Sequence, residues 1–379
     1  MTADEPLLRL DDVEVHFEGQ RGVLDRLLRN PGGKTVKAVD GVSLDIEEQD
    51  VVALVGESGC GKTTLGKTAV ALQRPTGGAV TYRGQDIWDA KDGKGNVEIP
   101  YQEIRRSLQI IHQDPGSSLN PNKTIMKSLQ APLKKWQPEL SPRDRRTRVL
   151  GMLEHVGMAP PDDYANRYPH QLSGGEKQRT ALVRALLMNP DVILADEAVS
   201  ALDVSLRVEM MDLLLDLQNE FGTSFVFVSH NLSNARYLAQ KAGGRIAVMY
   251  LGRIVEIGTA EEILQNPRHP YTKVLRWATA DLDPDKAHAG TPPVRKIDIP
   301  DPSDPPSGCR FHTRCPKARE VCVHEDPDLF SHSEDPSSHA ASCFRQFQRR
   351  GHEYWNSPEL TDSTITDDAR SEENVIGRS

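Results

Sequence analysis

An α/β fold with a helical insertion is predicted from two features of the sequence. Val51–Val55, Val192–Ala195 and Phe225–Val228 are short, unbroken apolar runs. Runs of that length suit parallel strands covered on both faces. Between them lie segments of helical pattern, roughly 141–157 and 174–188. Strand-like and helix-like stretches alternate from Val39 to Leu264, which favours one layered core over separate α and β parts. Ahead of that core, Leu8, Leu10, Val13, Val15 and Phe17 alternate at strand period; the fold class taken for the whole chain adds an antiparallel β edge. An insert at 18–37 sets arginines beside Val23, Leu24, Leu27 and Leu28. It reads as an amphipathic surface helix, with contact to a membrane surface as the alternative.

Composition narrows the function classes. The chain has 379 residues and a formal net charge of -9, which argues against a nucleic-acid binder held by a basic surface. Nothing approaches the roughly 18 consecutive apolar residues of a membrane span. The start, MTADEPLLRL, lacks the pattern of a secretion signal. The expectation is a soluble, intracellular protein whose membrane role, if any, comes through partners.

Chemistry concentrates in three motifs. Gly56, Glu57, Ser58, Gly59, Cys60, Gly61, Lys62 and Thr63 follow the first apolar run and precede a helix-like stretch opening at Thr64. Glycines let such a loop turn its backbone N–H groups onto phosphates at a helix N-terminus. Lys62 is placed for the β/γ-phosphates and the Thr63 hydroxyl for Mg²⁺. Second, the run from Asp191 ends in Asp196 and Glu197. A buried strand ending in two acids can hold Mg²⁺ through Asp196 and polarise an attacking water through Glu197. Third, Ser173, Gly174 and Gly175 stand before a helix in LSGGEKQR, as a capping serine and two glycines that admit close backbone approach.

LSGGEKQR resembles the signature motif of ATP-binding cassette ATPases, and with the other two motifs the resemblance spans roughly residues 7–265. It implies a P-loop cassette core with a helical signature subdomain at about 115–185, and two cassettes closing head to tail over two ATP molecules. Ser173 and Gly175 would then act on ATP bound by the partner. The same resemblance assigns Gln113 to Mg²⁺ sensing and membrane-subunit contact, and Asp203, in the run Ser200–Asp203, to the dimer contact. It makes His230 the γ-phosphate switch and Phe17 the adenine-stacking aromatic. Ala198, His112 and Asn231 depart from the usual pattern, where proline, an aromatic and aspartate stand; none removes a functional side chain.

The C-terminal part narrows the subfamily. Asn266–Thr272 (NPRHPYT), SLNP at 118–121, the early insert and PPSGCRFHTRCP together resemble oligopeptide/dipeptide-type importer ATPases. Residues 266–308 then form a linker with the importer-type tail motif, 309–348 a cysteine-rich extension, and 349–379 an acidic tail expected to be disordered. Cys309, Cys315, Cys322 and Cys343 suit a zinc ion or a four-iron cluster. Zinc sites usually show a closer cysteine pair, and the resemblance favours [4Fe–4S]; reduced cysteines are the third reading, with His312 and His339 as alternate ligands. The implied partners are a like or paralogous ATPase subunit, two transmembrane permease subunits and an extracellular solute-binding protein, without nucleic acid, at the cytoplasmic face of the membrane. Importers of sugar or nickel are the nearest alternatives. A soluble cassette ATPase of translation or DNA repair is the rival from another class.

Overall fold

The computed structural model describes residues 5–18, 35–116, 118–279, 293–331, 339–346 and 353–360. Its contacts divide the chain into two compact units. The first takes the described residues up to Val15, then Val39–Val55 and Lys62–Ile246; the second takes those of His16–Ala38, Gly56–Gly61 and Ala247 onward.

Four strands near the N-terminus form one sheet. β1 (Leu8–Glu18), β2 (Thr35–Ile46), β4 (Gly77–Tyr82) and β5 (Gln85–Asp86) lie in the order β2-β1-β4-β5. β1 meets β4 antiparallel, with Leu8 opposite Tyr82 and Leu10 opposite Val80. The alternation of residues 7–17 is therefore the predicted strand with an antiparallel edge.

The core of the first unit is a parallel run. β3 (Val51–Val55) pairs with β8 (Ser224–Ser229), β8 with β7 (Val192–Asp196), and β7 with β6 (Leu108–Ile111). Every residue of β3, β7 and β8 is buried, as continuous apolar runs require. Helix α1 (Lys62–Ala69) crosses close to β7: a Cβ added at Gly66 would lie 2.6 Å from the Leu194 side chain. Helices α2 (Ile87–Asp92) and α3 (Tyr101–Ser107) lead into β6. The helical insertion comprises α4 (Ile125–Trp136), α5 (Pro142–His155), α6 (Pro161–Asn166) and α7 (Gly174–Leu186). α5 starts on a Ser141 cap with proline at its first position, where the missing N–H costs nothing. α8 (Val204–Phe221) and α9 (Leu232–Ala242) complete the unit.

The second unit has its own strands and aromatic core. β9 (Arg245–Tyr250) leads into β10 (Arg253–Thr259), which pairs antiparallel with a short β12 (Ala340–Ala341). β11 (Phe330–Ser331) pairs with β12 in turn. Helices α10 (Ala260–Gln265), α11 (Pro270–Ala278), α12 (Val321–His324) and α13 (Glu353–Asn356) complete it. Tyr250, Tyr271 and Phe311 are buried with ring centroids 4.6 to 5.5 Å apart.

Two expectations need correction. Residues 353–360 were assigned to a disordered tail, yet α13 buries Tyr354 against Val321, Cys322 and Phe344, and Leu360 is buried as well. Two apolar anchors suffice there despite polar surroundings. The predicted linker at 266–308 also begins as structure: α11 starts inside the NPRHPYT motif, capped by His269. The insert residues Val23 to Leu28, and the tail beyond 360, lie outside the described residues. No helix among the described residues is long and apolar enough to cross a membrane.

Candidate active site

In the first unit, the candidate catalytic side chains gather at the ends of parallel strands. Asp196 closes β7 and is buried; the Thr63 hydroxyl, in the first turn of α1, donates to its Oδ1 at 2.8 Å. A hydroxyl and a carboxylate oxygen in contact form a hard donor pair of the kind Mg²⁺ takes. Lys62, one residue earlier, is buried beside them in sequence.

Glu197 follows at once, with a backbone φ of 50°. A non-glycine residue in the left-handed region costs about 1 to 3 kcal/mol, and such strain concentrates at functional sites. The turn is held by the Glu197 N–H, which donates to Val228 O at 3.1 Å, and by the Ser200 hydroxyl, which donates to Glu197 O at 2.8 Å. The carboxylate then meets two predicted partners. Gln113 Nε2 donates to Oε2 at 3.0 Å, and His230 Nδ1 lies 3.5 Å from Oε1. His230 is 56 % exposed and Glu197 21 %, so the acid opens toward solvent while its backbone is fixed. Asn231, where the family pattern has aspartate, caps α9 by accepting from the Ser233 N–H at 2.8 Å. Next to Gln113, burial and then the Lys67 charge lower the pKa of His112, favouring a neutral ring.

The signature segment is built as a helix start. Ser173 caps α7: its hydroxyl accepts from the Glu176 N–H at 3.3 Å, and Glu176 Oε2 accepts from the Ser173 N–H at 2.7 Å. Gly174 and Gly175 begin the first turn, leaving bare backbone at the positive end of the helix dipole. Asp203 caps α8 by accepting from the Leu206 N–H at 3.0 Å; that bond, with one from Ser205, lowers its pKa. Ser173 and Asp203 are both exposed.

The loop Gly56–Gly61 belongs to the second unit and runs by covalent continuity into Lys62. Two of its glycines are sterically required. At Gly61 φ is 107° and an added Cβ would stand 2.1 Å from Ala38 O; at Gly56 it would stand 2.2 Å from Met249 O. Ser58 and Gly59 are exposed, Cys60 is buried, and Gly59 has open space where a Cβ would go. Phe17, also in this unit, is 44 % exposed, as a stacking platform would be.

The four C-terminal cysteines line one cavity of the second unit together with His312, Phe344 and Tyr354. Burial raises the pKa of all four thiols, Cys315 to about 11 and Cys343 to about 12. Buried thiolates without a cation are costly, so metal binding is what would favour that form. His312 Nδ1 is 2.9 Å from Cys309 O. His339 is engaged elsewhere, with Nε2 2.6 Å from Glu256 Oε1, and does not line the cavity.

Sequence reasoning missed two residues that touch the phosphate loop. The Tyr271 hydroxyl accepts from the Glu57 N–H at 2.8 Å, and Arg314 grips the Glu57 carboxylate through both oxygens at 2.9 and 3.0 Å. Their only sequence signal is membership of the NPRHPYT and CRFHTRCP motifs.

Comparison with known proteins gives the family. An ABC transporter model matches residues 39–200, and a model of the oligopeptide/dipeptide transporter C-terminal region matches 255–322. The oligopeptide transport ATP-binding protein OppF of Salmonella typhimurium is 41% identical over 89% of this chain and 96% of its own. This chain belongs to the ABC transporter ATP-binding proteins. As such it is an ATPase. The dipeptide transport ATP-binding protein DppF of Escherichia coli is 40% identical over 90% of this chain and 95% of its own. Among solved structures, the ATP-binding cassette MJ0796 in a dimeric post-hydrolysis state bound to ADP and Pi superposes with a TM-score of 0.54 at 28% identity. That match covers 67% of this chain and 98% of the other.

Proposed function

We propose that this ABC ATPase couples ATP binding and hydrolysis to the uptake of di- or oligopeptides, as the ATP-binding subunit of an importer. The observation that carries the chemistry is the strained Glu197, set between Gln113 and His230 one residue past the Thr63–Asp196 pair. The loop amides of Gly56–Gly61 and the Lys62 ammonium hold the β- and γ-phosphates. Thr63, Asp196 and Gln113 offer oxygen donors to Mg²⁺, and Thr64 continues the helix start. Phe17 stacks on the adenine. Glu197 orients the attacking water, and His230 contacts the γ-phosphate.

Each ATP is completed by a partner subunit, like or paralogous, whose Ser173, Gly174 and Gly175 cap the γ-phosphate. Support comes from the exposure of Ser173 and Asp203 and of apolar Val204, 74 % exposed, at the head of α8. Two permease subunits and an external solute-binding protein complete the transporter, placing this subunit at the cytoplasmic face of the membrane. Peptides are the substrate class because the matched relatives are named for oligopeptide and dipeptide transport and share the C-terminal region.

We infer that the four cysteines, which line one cavity, hold a [4Fe–4S] cluster. Four thiolates suit such a cluster, and their sequence spacing lacks the close pair usual in zinc sites. Bound there, it would cross-link the extension through Cys309, Cys315, Cys322 and Cys343; ATP hydrolysis needs no redox centre.

The test is Glu197→Gln in the purified subunit or complex. It should bind MgATP as the parent does while turnover falls at least about 100-fold, the scale of a lost general base. Turnover retained at the parental rate would remove Glu197 from this role.

A further inference from the structure

The phosphate loop is held at one residue by two segments that no nucleotide motif contains. Glu57 is the second residue of the loop. Its backbone N–H donates to the hydroxyl of Tyr271, a fully buried residue of α11. Both carboxylate oxygens accept from Arg314, in a two-pronged pair. Loop, tyrosine and arginine all belong to the second unit.

The Arg314 side chain is only 4 % exposed, and its surroundings prescribe its direction. Its guanidinium carbon lies 5.7 Å from the Tyr250 ring centroid and 5.6 Å from that of Phe311, Nη1 reaches the Tyr250 hydroxyl at 3.4 Å, and Nε reaches Lys296 O at 3.5 Å. Its backbone N–H donates to Phe311 O at 3.0 Å and its carbonyl accepts from the Arg295 N–H at 3.0 Å. So fixed, the fork can meet the flat carboxylate edge to edge, which an ammonium cannot do.

A carboxylate in this position poses an electrostatic problem. Under the proposed function a triphosphate carrying several negative charges settles on the amides beside Glu57. An unpaired Glu57 would oppose it, and a loop free to reorient would have to be ordered at each binding event. We propose that Arg314 is a positioning residue for nucleotide binding. It neutralises Glu57 and, with Tyr271, sets the loop before ATP arrives, so the C-terminal extension governs nucleotide affinity. This inference rests on the reading of Gly56–Thr63 as the triphosphate site.

The experiment measures equilibrium MgATP binding to the full chain, and ATPase activity, for Arg314→Gln, Glu57→Gln, the double variant and Arg314→Lys. Arg314→Gln removes the two-pronged partner of the half-buried Glu57 carboxylate and should raise the MgATP dissociation constant about tenfold or more, the scale of a lost charged hydrogen-bond pair, with kcat nearly unchanged. Adding Glu57→Gln removes that carboxylate's charge and should bring the constant back to within about threefold of the parent. Arg314→Lys, which keeps the charge but loses the fork, should fall between and supplies a folded variant if Arg314→Gln unfolds. Affinity unchanged in both arginine variants, or no recovery in the double variant, overturns the proposal. Failure of the parent chain to bind MgATP would instead overturn the nucleotide site itself.

Discussion

The two units use acidic residues in opposite ways. In the first, Glu197 is held by its backbone, and its carboxylate, met by Gln113 at 3.0 Å and by an exposed His230 3.5 Å away, stays partly open to solvent. In the second, Glu256 is fully buried: it accepts from the backbone N–H groups of Arg268 and His269 and pairs with His339. One acid stays partly exposed, as the proposed water-orienting role requires, while the other closes the junction of β10, α11 and β12. Chemistry asks for an unfinished coordination sphere; a small unit built from short strands asks for finished ones. Substitution of Glu197 should therefore cost activity, and substitution of Glu256 folding.

The cysteine cavity should show the largest folding effect. Structural metal binding is worth on the order of 10 kcal/mol in small metal-dependent modules, so an extension tied by four thiolates would depend on it. Anaerobically purified chain should carry iron and sulfide in equal amounts. Cys322→Ser, whose site packs against Val321, Phe344 and Tyr354, should lose nearly all of it and melt at lower temperature. Zinc without sulfide, or no metal, would refute the cluster while leaving the ATPase assignment in place.

A smaller effect belongs to His269. Burial drives its pKa down from 6.5 to about 4, with Glu256 acting upward and Lys273 downward. Its Nδ1 accepts from the Tyr271 N–H at 3.1 Å, a bond that a proton there would abolish. Between pH 6.5 and 4 the unfolded chain binds this proton and the folded chain does not. Stability from this group is thus complete above pH 6.5 and lost as pH falls toward 4, by about 3 kcal/mol. Chemical denaturation of the parent against His269→Asn, which keeps a capping acceptor but does not titrate, should show the gap narrowing by that amount. Parallel pH profiles would contradict a buried neutral histidine.

Much of the first unit was legible because its determinants are local. Val51–Val55 and Val192–Asp196 are continuous apolar runs, and the two acids and Ser173 follow directly on local strand and helix signals. Glu57 was legible as a loop residue, but its partner Arg314 lies 257 positions away and no periodicity connects them. Tyr354 was hidden for a related reason: one aromatic in a polar stretch carries no pattern, and only the pocket formed by Val321 and Phe344 gives it a place.

Two helix starts offer the finest test, because their local geometry is the same. Ser173 with Glu176 begins α7, and Thr259 with Glu262 begins α10; both are capping boxes, and in each the hydroxyl accepts at 3.3 Å. Replacing either cap by alanine should cost about 1 kcal/mol of stability, since each leaves one helix N–H without its acceptor. Activity should separate them. The Thr259 cap serves a helix that follows β10, remote in sequence from every proposed nucleotide contact, so Thr259→Ala should keep parental ATPase activity once folded. Ser173 is exposed at a glycine-edged helix start offered to the partner's γ-phosphate, so Ser173→Ala should lose about tenfold or more in turnover for the same loss of stability. Equal activity in the two variants would reduce the signature serine to a cap, and the composite site would then need another donor.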